Sequence, residues 1–182
     1  MNTILLTGGL GFVGSHTAIS LINKNREVII FDNLDNSKFE VVNSLEKITK
    51  KKIKFIEGDI RDTEKIIKII QKYQIKSVIH FAGLKSISDS IINPLNYYDV
   101  NLIGTLSLIK AMKITGVKNL VFSSSATVYG EPNYLPIDED HFVESINPYG
   151  TSKLIIERIL RDIVSSDPLW RIICLRYFNP IG

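Results

Sequence analysis

Tyr149 and Lys153 stand four positions apart at the start of a helix-forming stretch, so both side chains leave one face of a helix toward a common point. A phenol with an ordinary pKa near 10 is a poor base at neutral pH, but an ammonium a few ångströms away stabilises the phenolate and brings that value down. The run Ser123-Ser124-Ser125 follows an apolar, strand-like segment and carries the Ser125 hydroxyl toward the same place. Together these groups can take a proton from a substrate alcohol while a cofactor takes hydride from the same carbon. The chemistry they describe is alcohol–ketone interconversion. A Tyr-x-x-x-Lys spacing is common by itself, and it gains meaning from the elements that position it.

Those elements begin with Thr3-Ile4-Leu5-Leu6-Thr7, an apolar run that enters the turn Gly8-Gly9-Leu10-Gly11-Phe12-Val13-Gly14. A helix-period stretch from Ser15 to Asn25 follows, and a second apolar run, Glu27-Val28-Ile29-Ile30-Phe31-Asp32, ends on an acid. This is the order of a dinucleotide-binding βαβ unit. Gly8 permits the sharp turn, Gly11 the approach of backbone amides to a pyrophosphate, and Gly14 the close packing of helix on strand. The helix N-terminus then offers unpaired N–H groups and the positive end of its dipole to the phosphates. Asp32 is placed to accept both adenosine ribose hydroxyls and repels a 2′-phosphate, while Asn33 and Leu34 bring no positive charge. The expected cofactor is NAD rather than NADP.

Further along, 33–37 reads as a polar turn and the stretch to Lys50 as a helix with apolar spacing at Val41, Val42, Leu45 and Ile48. Residues 53–56 predict a third strand ended by Glu57-Gly58-Asp59, where Asp59 is either an adenine contact or part of a surface turn. Asp62 caps a helix through Tyr73. A fourth strand over 77–81 leads into Ala82-Gly83-Leu84-Lys85, and because ligands gather at strand carboxyl ends, Lys85 can reach a phosphate. His80 reads as a core histidine, and with no second His or carboxylate at a ligand spacing no metal site is expected. The longest helical pattern covers 94–115, a fifth strand 119–122 and a sixth 170–175. Between the last two, Asn147 caps and Pro148 opens a helix over 148–165. Six apolar runs alternating with helices predict an α/β fold, a Rossmann-type doubly wound parallel sheet in the order 3-2-1-4-5-6 with right-handed crossovers.

Composition agrees with one soluble domain over 1–182: 45% of residues are hydrophobic, 23% charged, and the net charge is +3. Lys50-Lys51-Lys52 is a solvated helix end rather than a nucleic-acid patch, so no nucleic-acid partner is expected. Cys174 reads as a small buried hydrophobe in a reducing compartment. The first strand begins almost at Met1, leaving no room for a signal peptide, and no apolar run approaches a membrane span, so the expected location is cytoplasmic.

Thr7 to His16, Asp32-Asn33-Leu34, Glu57 to Arg61, His80 to Lys85, Ser123 to Gly130, Pro148 to Lys153 and Arg176 to Gly182 together resemble the extended short-chain dehydrogenase/reductases, within them the family of UDP-glucose 4-epimerases. Related sugar-nucleotide dehydratases carry an acidic pair where this chain has Ala126-Thr127. The resemblance implies that Phe12 and Val13 meet the NAD pyrophosphate through their amides. Asp32, Asn33, Asn36 and Ser37 would hold the adenosine ribose, and Asp59 with Ile60 the adenine. It further implies that Phe81, Ala82, Gly83 and Lys85 flank the cofactor, Lys85 also serving the substrate. Ser125, Ala126 and Thr127 would hold the hexose and Tyr149 would act as base. Lys153 would bind the nicotinamide ribose, Phe178 would pack near the nicotinamide, and Asn179 would begin the UDP-sugar site. Some members have Asn at position 100 as a cofactor contact; this chain has Val100, and the role moves to Asn101.

The implied reaction interconverts UDP-glucose and UDP-galactose through a 4-keto sugar with tightly held NAD, in a homodimer joined by the helices 94–115 and 148–165. Family members run to roughly twice this length, with a smaller C-terminal domain that grips the uridine diphosphate, and this chain stops where that domain is expected. Remote binding energy positions the sugar, so the expected fragment binds NAD and does little chemistry. A catalytically silent NAD-binding module and an epimerase for N-acetylated UDP-hexoses are the alternatives.

Overall fold

The structure, a computed structural model, describes residues 3–181. Met1, the start of the signal-peptide argument, and Gly182, the end of the last motif, lie outside the described residues. Six parallel strands form one sheet in the order β3-β2-β1-β4-β5-β6. They are β1 (Thr3–Thr7), β2 (Val28–Asp32), β3 (Lys54–Glu57), β4 (Ile75–His80), β5 (Asn119–Ser125) and β6 (Arg171–Tyr177). This is the doubly wound Rossmann-type order that the alternation of apolar runs predicts.

Alternation along each strand divides the core in two. Leu5, Ile29, Phe31, Val78, Leu120 and Phe122 face one layer, built by α3 (Thr63–Lys72), α6 (Gly104–Thr115) and α7 (Pro148–Ser166) through Ile66, Leu108, Met112, Ile156 and Leu160. Leu6, Val28 and Ile30 face the other, built by α1 (Phe12–Asn23) and α2 (Glu40–Thr49) through Ala18, Ile22, Val42 and Leu45. Each fully buried Leu or Ile contributes about 1.5–3 kcal/mol, so neighbouring residues of one strand hold opposite faces of the molecule.

Local signals place the helix ends. Asp62 accepts the Lys65 N–H at 2.9 Å ahead of α3, and Asn147 accepts the Gly150 N–H at 2.8 Å ahead of α7, with Pro148 in its first turn. The pattern over 94–115 is not one regular helix. A short α4 (Ile87–Ile92) and α5 (Pro94–Tyr97) precede a π-helical segment, Tyr98–Ile103, which runs into α6. The extra residue of a π turn shifts the phase of everything before it. β5 and β6 are longer than their apolar runs, because Ser123, Ser124 and Ser125 pair with Leu175, Arg176 and Tyr177 beyond the hydrophobic layer. Cys174 is half-buried rather than fully enclosed, and burial pushes its thiol up to about 11. Among the described residues no helix is long and apolar enough to cross a membrane.

Candidate active site

A cleft of about 1160 Å³ opens along the carboxyl ends of the strands, at the point where the order reverses between β1 and β4. At one end lies the glycine turn. Gly8 has φ +66°, and a Cβ there would stand 2.5 Å from the Ala82 amide nitrogen, so the turn and the segment after β4 touch backbone to backbone. A Cβ on Gly14 would overlap the Gly8 carbonyl and lie 2.8 Å from Gly9 Cα, which fixes how closely α1 approaches β1. Gly11 is the N-cap of α1 and no side chain caps that end, leaving its first amides for an anion.

Asp32 closes β2 beside this turn. Its Oδ2 accepts the Leu10 N–H at 3.0 Å, and its Oδ1 accepts the Leu34 N–H at 3.0 Å and the Ser37 hydroxyl at 2.8 Å. The carboxylate is buried and held in one orientation, with its remaining acceptor site on Oδ2, and a ribose diol can take the place of the Ser37 hydroxyl on Oδ1.

At the other end, Lys153 is buried on α7 and donates to the Ser123 carbonyl at 2.9 Å. Its Nζ lies 4.9 Å from the Phe122 ring centre and 5.9 Å from that of Tyr149. Burial lowers its pKa to about 8. Thr127 donates its hydroxyl to Ser125 Oγ at 3.0 Å, and the Ser125 hydroxyl is the polar group beside the Tyr149 phenol. The Tyr97 and Tyr149 rings meet edge to face, centres 6.5 Å apart. The expectation of a phenol lowered by its lysine is corrected: burial raises the Tyr149 pKa, and the neighbouring Ser125 hydroxyl offsets only part of that. The physical reason is distance and dryness, since the ammonium is drawn to Ser123 rather than to the phenol oxygen.

The cleft wall brings together nearly all the residues singled out in the sequence. Gly8, Gly11, Phe12, Val13, Gly14, Asp32, Asn33, Asn36, Ser37, Ile60, Phe81, Ala82, Gly83, Lys85, Ser125, Ala126, Thr127, Tyr149, Lys153, Phe178 and Asn179 all line it. Two do not. Asp59 gives its carboxylate to Arg61, accepting from Nε at 2.9 Å and from the backbone N–H at 2.8 Å, and Arg61 holds it below the usual carboxylate range. Asn101 is buried: its Oδ1 accepts the Leu84 N–H at 2.7 Å and its Nδ2 donates to the Leu84 carbonyl and to Ser152 Oγ, each at 3.1 Å. Val100 faces the cleft instead. The π segment turns Asn101 inward, where it ties the loop after β4 to α7.

Residues 5–182 match the sequence pattern of the family described as GDP-mannose 4,6 dehydratase. The chain belongs to that family. It is 51% identical over 183 residues to the UDP-glucose 4-epimerase of Neisseria meningitidis serogroup A / serotype 4A, a match covering 100% of this chain and 54% of that protein. The chain therefore spans about half the length of the curated relatives it matches. Among solved structures, the Bifidobacterium longum UDP-glucose 4-epimerase in complex with NAD+ and UDP superposes with a TM-score of 0.97 at 49% identity, covering 100% of this chain and 54% of that one. The UDP-Glc/GlcNAc 4-epimerase of Campylobacter jejuni gives 0.93 at 34%, covering 98% and 54%.

One group near the site has no counterpart in the sequence reading. Glu157 is buried on α7, accepts the Ser124 hydroxyl at 2.5 Å and receives Arg176 through Nε at 3.1 Å and Nη2 at 2.8 Å. Its place at a second interval of four beyond Tyr149 was the available signal. His80 behaves as a core residue, with Thr7 Oγ1 at 2.6 Å from Nδ1 and Thr105 Oγ1 at 2.9 Å from Nε2.

Proposed function

We propose that this chain is the NAD-binding domain, over 1–182, of a cytoplasmic NAD-dependent UDP-hexose 4-epimerase that interconverts UDP-galactose and UDP-glucose in galactose metabolism. The observation that carries the reading is a single cleft joining the uncapped α1 N-terminus and the oriented Asp32 carboxylate to Ser125, Tyr149 and Lys153. A dinucleotide fits this donor set: anion-binding amides in the middle, a diol acceptor at one end, a buried ammonium at the other. When bound, NAD supplies a hydride-accepting ring beside the substrate carbon.

The chain's own groups do the rest. The amides of Phe12 and Val13 hold the pyrophosphate, Asp32 the adenosine ribose, and Lys153 the second ribose. Tyr149 Oη takes the proton of the sugar 4-hydroxyl, and the Thr127–Ser125 hydroxyl pair orients it from the side. Although the family description names a dehydratase, Ala126 and Thr127 bring no carboxylate to the hexose position, which favours proton and hydride exchange over loss of water. An epimerase for N-acetylated UDP-hexoses is the second reading, favoured by the likeness to the Campylobacter jejuni enzyme. The homodimer assigned to helices 94–115 and 148–165 has exposed Ile103 and Ile114 in its support, whereas Leu108, Met112, Ile156 and Leu160 are taken up by the core.

The test quantifies NAD released from purified protein and follows conversion of UDP-galactose to UDP-glucose in the same sample. Retained NAD with turnover that falls about 10²–10⁴-fold in Tyr149→Phe is the expected result. NAD without turnover marks the silent-module reading, and a chain that takes up no NAD overturns the proposal.

A further inference from the structure

Three consecutive residues at the end of β5 hold three residues spaced by four along α7. Ser125 lies beside the Tyr149 phenol, the Ser123 carbonyl accepts from Lys153, and the Ser124 hydroxyl donates to Glu157. The first two contacts belong to the cleft. The third lies one turn deeper: Ser124 still lines the cleft, but Glu157 is only 6% exposed and stands behind the cleft wall. Arg176, paired with Ser124 across the ladder from β6, completes it with a bidentate grip and lays its guanidinium 4.8 Å over the Tyr129 ring.

A buried ion pair is a poor way to gain stability, since apolar residues of the same volume often do as well or better. What apolar contact lacks is direction. Charge-assisted hydrogen bonds to two strands at once fix a helix along its own axis, and a helix transmits an axial shift to every residue it carries. Tyr149 and Lys153 lie eight and four residues upstream on the same stripe, so a slide at Glu157 displaces both.

Resting on the NAD-dependent reading above, we infer that Glu157 is a positioning residue: through Ser124 and Arg176 it locks α7 in register on β5 and β6 so that Lys153 reaches the cofactor and Tyr149 the substrate hydroxyl.

The test is a double-mutant cycle on NAD affinity, measured by calorimetry on the whole chain together with unfolding midpoints. Glu157→Gln weakens NAD binding about tenfold and Ser124→Ala about threefold, and both effects vanish in a Lys153→Met background while persisting in full on Asp32→Ala, which lies at the far end of the cleft. Ser124→Ala leaves the Glu157–Arg176 pair intact and carries the test if Glu157→Gln does not fold. Equal losses in the Lys153→Met and wild-type backgrounds mean a purely structural residue and overturn the inference. A wild-type chain that binds no NAD defeats the functional reading instead. The inference is then read from the Tyr149 titration, taken as the absorbance difference from Tyr149→Phe; Ser125, Tyr97 and Lys153 are the groups facing that phenol. A shift of about half a unit or more in either serine or glutamate variant supports register control, and an unmoved titration refutes it.

Discussion

Lys153 donates one N–H to the Ser123 carbonyl, 2.9 Å away, and its other two donors have no protein partner among the described residues although the group is buried. An ammonium so placed is held for a ligand at a cost to the fold. Its pKa of about 8 lies below the ordinary 10.5, so between those values the unfolded chain binds the extra proton. Stability attributable to this group is therefore lowest below pH 8 and recovers as pH rises toward 10.5. Lys153→Met is expected to raise unfolding free energy by about 1–3 kcal/mol at neutral pH, with the gain disappearing at alkaline pH, while NAD affinity falls at least about tenfold. Urea melts across pH, paired with NAD titration, check both parts; equal stability of the two proteins at neutral pH contradicts the argument.

Position 101 offers a contrast with its neighbour. Asn101→Ala removes the side-chain partner of the part-buried Leu84 N–H and carbonyl and one of the two hydrogen bonds of the Ser152 hydroxyl, and a loss of about 1–3 kcal/mol is expected. Val100→Ala, on the cleft wall, is expected to cost about 1 kcal/mol or less. Unfolding curves that rank the two variants the other way would show that the inward turn of Asn101 is misassigned.

Acid sensitivity follows from His80. Thr105 donates its hydroxyl to the Asn101 carbonyl at 2.6 Å, so it accepts from Nε2–H, and Nδ1 accepts from Thr7. Burial, with the Lys153 charge behind it, drives the imidazole down to about 3 from 6.5. The unfolded chain takes up the proton first, so stability is complete above pH 6.5 and declines as pH falls toward 3. Near pH 4.5 the wild type should lose about 2–3 kcal/mol more than His80→Gln, which keeps a donor and an acceptor without titrating. Parallel losses in the two proteins would remove His80 as the cause.

The strand order and the dinucleotide turn were legible because a buried parallel strand needs a continuous apolar run and the turn needs glycine where backbones touch, as Gly8 and Gly14 do. Tyr149 and Lys153 were legible because an interval of four on an α-helix places both on one side. Asn101 was assigned through the resemblance rather than through spacing, and its burial within a π segment is a feature that no composition signal announces. Serines 123–125 read as the mouth of a loop, yet they remain strand because β6 supplies their ladder partners, Leu175, Arg176 and Tyr177, from beyond the whole of α7. The Tyr149 pKa depends on what surrounds a ring in three dimensions, and side-chain spacing carries no record of that.

The ladder between β1 and β4 joins residues as far apart as Thr7 and His80, whereas β1 meets β2 within a single helical crossover. As the chain is synthesised, β1 can therefore pair on one side long before its other edge has a partner. Until β4 emerges, Leu5 and Leu6 sit beside an open row of amides and carbonyls, the arrangement most prone to capture by another strand. Ribosome pausing between residues 33 and 75 should accordingly raise misassembly, and the nucleotide turn, though complete in sequence, gains the backbone it rests on only when Ala82 arrives.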